Sequence, residues 1–121
     1  MDKPLFTETS PLGYKVACHK SVWEDHIVQQ SGHPIMKDNL HAVQETIATP
    51  DVVYGSNEWP NRDVYFKQCS TATYGDKMYT KVIVNTPDVN NDTGSVVTAW
   101  PQKNLSGKID EGNLKYVKPK L

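Results

Sequence analysis

The chain has 121 residues, of which 37% are hydrophobic and 22% are charged, and its formal net charge is -1. This length fits one domain that buries about two thirds of its unfolded surface, and the composition excludes general disorder and fibrous repeats. The small net charge excludes a wholly electrostatic nucleic-acid binder, so only a local basic cleft could hold RNA. Neither a signal peptide nor a bilayer-spanning stretch is recognisable, so we expect a cytoplasmic protein with no membrane partner.

The first thirteen residues contain prolines and hydroxyl residues without apolar periodicity. We therefore expect residues 1–13 to be an extended lead-in. Tyr14, Val16 and Cys18 then alternate with other residues at a period of two, which predicts a short strand. Cys18 and Cys69 lie outside any CxxC spacing, so both are expected to be buried thiols and not zinc ligands or a disulfide.

Two helices are predicted next. Ser21 and Glu24 match a capping box, and Gly32 precedes a His-Pro pair, so a first helix should run from Ser21 to about Gln30. A second helix is indicated by apolar residues at spacings of four, three and four, and Pro50 should end it by Ala48 or Thr49. The residues of that stripe are Met36, Leu40, Val43 and Ile47.

Short β-prone segments separated by turn residues fill the chain from Asp51 to Trp100. Their short connections predict an antiparallel meander of about four strands. Alternation assigns one face of this sheet to the core and the other to an open surface. The predicted core face has Val64, Phe66, Val82, Val84, Val97 and Ala99, and the predicted open face has Tyr65, Lys67, Tyr79, Lys81, Thr98 and Trp100. Residues 102–121 are expected to form a C-terminal extension or an edge strand.

The sequence offers groups for metal-independent RNA cleavage. That reaction needs a base for the 2'-hydroxyl proton, an acid for the leaving oxygen and a cation near the phosphate. Histidine suits the first two roles, which makes His26 and His33 the candidates. Lys81 would supply the cation, and Thr98 and Tyr65 would donate hydrogen bonds to phosphate oxygens. Lys67 and Arg62 are peripheral candidates for phosphate contact, and no metal or other cofactor is expected.

Several segments together resemble a known family. They are Val22-Trp23-Glu24-Asp25-His26-Ile27, His33-Pro34, Lys81-Val82-Ile83-Val84 and Val97-Thr98-Ala99-Trp100-Pro101. This order is similar to a phage-associated branch of the nucleases of the barnase, EndoU, colicin and RelE type (the BECR fold). The resemblance covers about residues 14–101. Gln29 to Gly32 lengthen the link between the two histidines relative to that family.

The resemblance implies an α+β fold in which two N-terminal helices pack on an antiparallel sheet of about four strands. It implies an endoribonuclease with His26, His33, Lys81 and Thr98 as catalytic residues, and we add Tyr65, Lys67 and Trp100 as substrate contacts. Such a protein would be a phage or mobile-element effector or toxin, with RNA and an antitoxin or immunity protein as partners.

Structural roles are the alternative for each of these residues. His26 could pack beside Trp23, His33 could cap the first helix, and Lys81 could be a solvated strand residue. Thr98 and Trp100 suit any strand. His19 and His41 are predicted to be solvated. The competing function is a catalytically inactive RNA-binding or protein-binding module, and a third is a subunit that needs an oligomer.

Overall fold

The computed structural model describes residues 3–30 and 34–119. Within them, strands frame a helical segment. In chain order the elements are β1 (Pro4–Thr9), β2 (Lys15–His19), a π-helix (Val22–Gln30), a 3-10 helix (Pro34–Asp38), α1 (Leu40–Ala48), β3 (Val52–Ser56), β4 (Arg62–Lys67), a short 3-10 helix (Gly75–Lys77), β5 (Tyr79–Asn85), β6 (Thr93–Gln102) and β7 (Ile109–Val117).

The predicted fold class is wrong. The strands form one seven-stranded sheet in the order β1-β2-β6-β5-β4-β3-β7, in place of an antiparallel sheet of about four strands under two helices. It is a mixed sheet, because β2 pairs parallel to β6 while the other neighbours pair antiparallel. The predicted meander is present as β3 to β6, and the additional strands extend it on both sides.

Both ends of the described chain are edge strands. β1, which lies within the expected extended lead-in, pairs with β2, and β7 pairs with β3. Backbone hydrogen bonds hold these strands, because few of their side chains are buried: Phe6 in β1 and Ile109 in β7. Period-two apolar alternation is therefore absent from both segments, and neither had a clear strand signal in the sequence.

The predicted helices lie where the sequence placed them, with different geometry. The first is π-helical over Val22–Gln30. The second is divided: Met36 lies in the 3-10 helix, and α1 ends at Ala48, with Thr49 as its C-cap. None of the described helices has the length and apolar character needed to cross a membrane.

The helices cover one face of the sheet, here called the helix face. Trp23 and Ile27 of the π-helix and Val43 and Ile47 of α1 are buried there in one cluster with Tyr65. Strand residues of the same cluster include Val16, Val53, Val82, Val84 and Ala99. This cluster is the main hydrophobic core and orients the π-helix beside β6.

The opposite face is also buried, which corrects the predicted division of the sheet. Register places Val64 beside Ile83 and Phe66 beside Lys81, whereas Tyr65 lies beside Val82. Val64 and Phe66 therefore belong to the same face as Lys81, and Tyr65 belongs to the helix face. Apolar residues occupy both faces of β4 and β5, so alternation alone could not fix the register, and the predicted division of the faces is wrong.

Residues 103–108, which we call the strap, cover this second face, here called the strap face. The strap joins β6 to β7, which three intervening strands separate within the sheet. Leu105 packs on the second hydrophobic cluster, which contains Val64, Phe66, Ile83 and Ile109. The strap therefore converts an apparently open surface into an enclosed one.

A polar network ties the helix face to both ends of the described chain. The Tyr65 hydroxyl lies 2.6 Å from Ser10 Oγ and donates to the Tyr14 hydroxyl. Tyr14 in turn donates to Asp63 Oδ2 at 2.7 Å, and Lys115 Nζ lies 2.5 Å from Asp63 Oδ1. Burial is the main cause that raises the pKa of Tyr65 to about 12 and the pKa of Tyr14 still further.

Candidate functional site

Two adjoining cavities flank a bulge in the β5–β6 pair, and together we call them the groove. The register shifts between Ile83 and Val84, so that Thr98 lies opposite Ile83 and Val96 opposite Val84. Val97 is the extra residue, and it lines both cavities. Bulges bend the sheet and re-aim neighbouring side chains, which here gives β6 a side chain in each cavity.

The π-helix supplies the residue that joins the cavities. His26 is exposed and lines both of them. Its neighbours in the sequence, Trp23 and Ile27, are buried in the main core. The helix is therefore anchored by its apolar side while His26 projects into the groove.

The first cavity measures about 410 Å³ and brings a second histidine to His26. His19 ends β2, is half-buried and lines this cavity with Asn85 and Ser95. His19 was predicted to be solvated and was therefore absent from the predicted site. Its position at the end of a strand, just before a helix, was the available signal, because such junctions commonly carry binding side chains.

The second cavity is smaller, about 260 Å³, and it contains the positive charge of the groove. Arg62, Lys108 and Thr98 line it together with His26. Thr98 is 8% exposed, so its hydroxyl is largely shielded from bulk water. Glu58 also lines this cavity, so one carboxylate offsets part of the charge of the two cations. The remaining positive charge, with a hydroxyl and an imidazole, is a suitable environment for a phosphate group.

Arg62 is held in place by partners on both sides. Its Nε donates to Asn85 Oδ1 at 3.0 Å, and its guanidinium lies 5.2 Å from the centre of the Trp59 ring. Because Asn85 lines the first cavity and Arg62 the second, this hydrogen bond connects the two. The fixed guanidinium loses less entropy on binding a ligand than a mobile one would.

Trp59 forms an aromatic rim on the second cavity. It is 51% exposed and lies in the β3–β4 loop, where Ser56 Oγ accepts from the backbone amides of Glu58 and Trp59. Glu58 pairs with Lys108 at 3.9 Å, and both side chains are about half exposed, so solvent screens this pair. An exposed ring beside two cations is typical of surfaces that stack a nucleobase.

Of the four predicted catalytic residues, His26 and Thr98 meet in the second cavity. Lys81 does not line either cavity, because its side chain is 0% exposed beneath the strap. His33 lies outside the described residues. The second cavity therefore contains two of the four predicted catalytic residues, and a third, Lys81, is buried away from it.

Lys81 is enclosed by rings and carbonyls. Its Nζ lies 4.8 Å from the centre of the Trp100 ring and 5.5 Å from that of Phe66. It donates to the carbonyl oxygens of Ser106 and Gly107 and to Gln102 Oε1. Desolvation is the main cause that lowers the pKa of Lys81 to about 8. A solvated strand lysine was the alternative, and the strap overturns it.

The predicted substrate contacts do not reach the groove. Tyr65 is 0% exposed on the helix face, and Lys67 Nζ donates to the carbonyl of Thr49. Trp100 lies on the strap face, where its Nε1 donates to Gln102 Oε1. Their expected position on one open face followed from the register that the sheet does not have.

The predictions for the two cysteines and for His41 agree with the structure. Cys18 and Cys69 are free and buried, as predicted. His41 is exposed, as predicted. Among the described residues, no group of three His, Cys, Asp or Glu side chains is placed to hold a metal ion.

Comparison with known proteins gives no match: no family model, no curated protein and no solved structure is significantly similar to the chain.

Proposed function

We propose that the chain is a metal-independent endoribonuclease whose site is the groove. The observation that carries this proposal is that one histidine, His26, lines both cavities, with His19 in one and Arg62, Lys108 and Thr98 in the other. This combination supplies a base, an acid and cations without a metal ion.

The reaction is the transfer that forms a cyclic phosphate. One histidine removes the proton of the 2'-hydroxyl, whose oxygen attacks the neighbouring phosphorus. The bond from phosphorus to the 5'-oxygen breaks, and a second, protonated histidine donates its proton to that oxygen. Arg62 and Lys108 balance the charge that develops on the phosphate, and the Thr98 hydroxyl donates to one of its oxygens.

His26 is one of the two histidines in this proposal, since it borders both cavities. His19 is the second candidate from the described part of the chain, and His33 is the one predicted from the resemblance. The substrate is single-stranded RNA, because the exposed Trp59 ring stacks on a base that is not paired.

The test is cleavage of total RNA by the purified protein in EDTA, followed by analysis of the fragment ends. We expect cyclic phosphate ends from the wild type and from His41→Ala, whose histidine is exposed outside the groove. We expect no fragments from His26→Ala, and a large loss from whichever of His19→Ala and His33→Ala removes the partner. Cleavage by His26→Ala at the wild-type rate would refute the assignment.

A catalytically silent RNA-binding module is the second candidate. The burial of Lys81 favours it, because the cation expected from the sequence does not face the groove. In this version Arg62, Lys108 and Trp59 bind RNA and the histidines do no chemistry. Wild-type protein that binds single-stranded RNA but leaves it intact at every pH tested would favour the module over the enzyme.

A further inference from the structure

Lys81 and Gln102 make the polar contacts between the sheet and the strap that involve side chains of β5 and β6, and Lys81 is the charged one of the two. Its two shortest hydrogen bonds go to strap carbonyls, at 2.9 Å to Ser106 and 2.6 Å to Gly107. Gln102, at the end of β6, completes the arrangement: Nζ lies 3.3 Å from its Oε1, and its Nε2 donates to the Ser106 carbonyl at 2.5 Å. A buried cation with several carbonyl acceptors holds a segment more firmly than apolar contact alone.

The strap ends in a backbone conformation that needs such support. Gly107 has φ 81° and Lys108 has φ 61°, so two consecutive residues lie in the left-handed region. This conformation is unfavourable for a lysine and persists only where surrounding contacts enforce it. Contacts to these two residues come from Lys81, which donates to the Gly107 carbonyl, and from the Asn57 amide, which donates to the Lys108 carbonyl at 3.3 Å. Glu58 also pairs with the Lys108 ammonium.

The strained residue is the one that enters the groove. Lys108 lines the second cavity with His26 and Thr98, immediately after the glycine that Lys81 holds. We propose that Lys81 is a positioning residue: it fixes the strap on the sheet and thereby places the Lys108 ammonium where the phosphate of the substrate binds. The contact between Lys81 and the strap is a property of the fold. The placement of the Lys108 ammonium for a phosphate rests on the proposed function.

This role explains why a lysine is buried where an apolar residue would fit. The surroundings of the Lys81 amine are the rings of Phe66 and Trp100, and the charged groups that act on it are Lys108 and, more weakly, Glu58. Burial and Lys108 both oppose its charge, and Glu58 favours it. An apolar side chain would avoid that cost but would remove the charged donor from both strap carbonyls, and the Ser106 carbonyl would keep only Gln102 Nε2.

The strap contact is tested without any substrate. Exchange of the Asn57 amide, whose acceptor is on the strap, is measured in wild type and in Lys81→Met, a replacement of similar size without a donor. We expect exchange about tenfold faster or more in Lys81→Met, because the carbonyls of Ser106 and Gly107 lose a charged donor. Ser106→Ala is the matched control, since it changes an exposed strap side chain and keeps the carbonyl. Unchanged exchange in Lys81→Met would overturn the contact.

The action through Lys108 is tested by a double-mutant cycle of binding. The probe is a single-stranded 2'-O-methyl RNA, which cannot be cleaved because its 2'-oxygen carries no proton. We expect Lys81→Met to weaken binding about tenfold in the wild-type background and to have no further effect in the Lys108→Ala background. An equal loss in both backgrounds would show that Lys81 acts on overall structure and would overturn the positioning role.

The two proposals fail in different ways. If the wild type binds no probe, the proposed function falls, and the placement of Lys108 for phosphate falls with it. If Lys81→Met does not fold, Gly107→Ala tests the contact from the strap side, because an added methyl would lie 3.1 Å from Lys81 Nζ and would strain a residue at φ 81°. Wild-type Asn57 exchange in Gly107→Ala would then count against the proposal.

Discussion

The hydroxyls of Tyr65 and Tyr14 share a hydrogen bond of 2.7 Å although 51 positions separate the two residues in the chain. Ser10 lies on one side of this pair and Asp63, with its partner Lys115, on the other. The network therefore joins the β1–β2 turn, β4 and β7, which lie far apart in the chain.

This network predicts a stability change. Tyr65→Phe removes the hydroxyl that joins Ser10 to Tyr14, so the free energy of unfolding should fall by about 1–2 kcal/mol. Urea denaturation is the measurement. Tyr54→Phe is the control, because Tyr54 is a half-buried tyrosine that packs edge-to-face on Phe66, and it should change stability little. Equal effects of the two substitutions would mean that the buried network adds nothing.

Burial of Cys18 and Cys69 predicts that both thiols react slowly in the folded chain. Burial raises the pKa of Cys18 from its usual 9.0 to about 12 and raises the pKa of Cys69 as well. Since the thiolate is the reactive form, an aromatic disulfide reagent at about pH 8 should modify the folded chain at least about a hundredfold more slowly than the urea-unfolded chain. Rapid native modification of Cys18→Ser, in which Cys69 is the remaining thiol, would show that Cys69 is accessible.

Two substitutions of Lys108 distinguish the effect of its charge on binding from the effect of its backbone conformation on stability. Glycine adopts φ 61° without strain, whereas alanine, like the native lysine, adopts it at a cost, so Lys108→Gly should be more stable than Lys108→Ala by about 1 kcal/mol. Both variants lose the same ammonium, and both should weaken binding of the 2'-O-methyl RNA probe to a similar extent. Thermal unfolding and a binding titration measure the two properties. If Lys108→Gly bound the probe as tightly as the wild type, the Lys108 ammonium would not contribute to binding, and its proposed role would be wrong.

The pH dependence of stability has a definite sign for Lys81. Its pKa falls from a usual 10.5 to about 8 in the folded chain, so between about pH 8 and 10.5 the unfolded chain binds more protons. Stability from this group therefore rises with pH across that window and is constant below it. Cys18 acts oppositely from about pH 9, since the unfolded chain loses its thiol proton first.

Comparison of the wild type with Lys81→Met isolates the effect of Lys81 on stability, because Cys18 is present in both proteins. The wild type should gain stability relative to Lys81→Met between about pH 8 and 10, measured as the difference in urea midpoints. A difference that stays constant with pH would mean that Lys81 keeps an ordinary proton affinity beneath the strap.

The sequence predicted the elements with regular patterns. The stripe containing Val43 and Ile47 predicted α1, Pro50 predicted its end, and the β-prone segments between turn residues predicted the strands β3 to β6. It did not give the seven-stranded sheet, because β1 and β7 are held by their backbones and bury little. Edge strands of this kind leave no apolar alternation to detect.

The site was partly predictable for a related reason. His26 and Thr98 were identified from their residue types and context, and they do line one cavity. The environment of Lys81 was not predictable, because it depends on where a turn-rich strap crosses the sheet. His19 was missed because it is the last residue of β2. Period-two alternation does not predict the side-chain direction where the chain leaves the sheet.

The parallel pairing of β2 with β6 sets the order in which the sheet can be completed. The β1–β2 hairpin is synthesised first, yet its partner strand begins at Thr93, so some seventy residues must emerge before it can join the sheet. The local meander from β3 to β6 closes through short loops and provides the template. We therefore expect assembly to proceed from the meander outward, with β2 joining the sheet only after β6 although it precedes β6 in the chain.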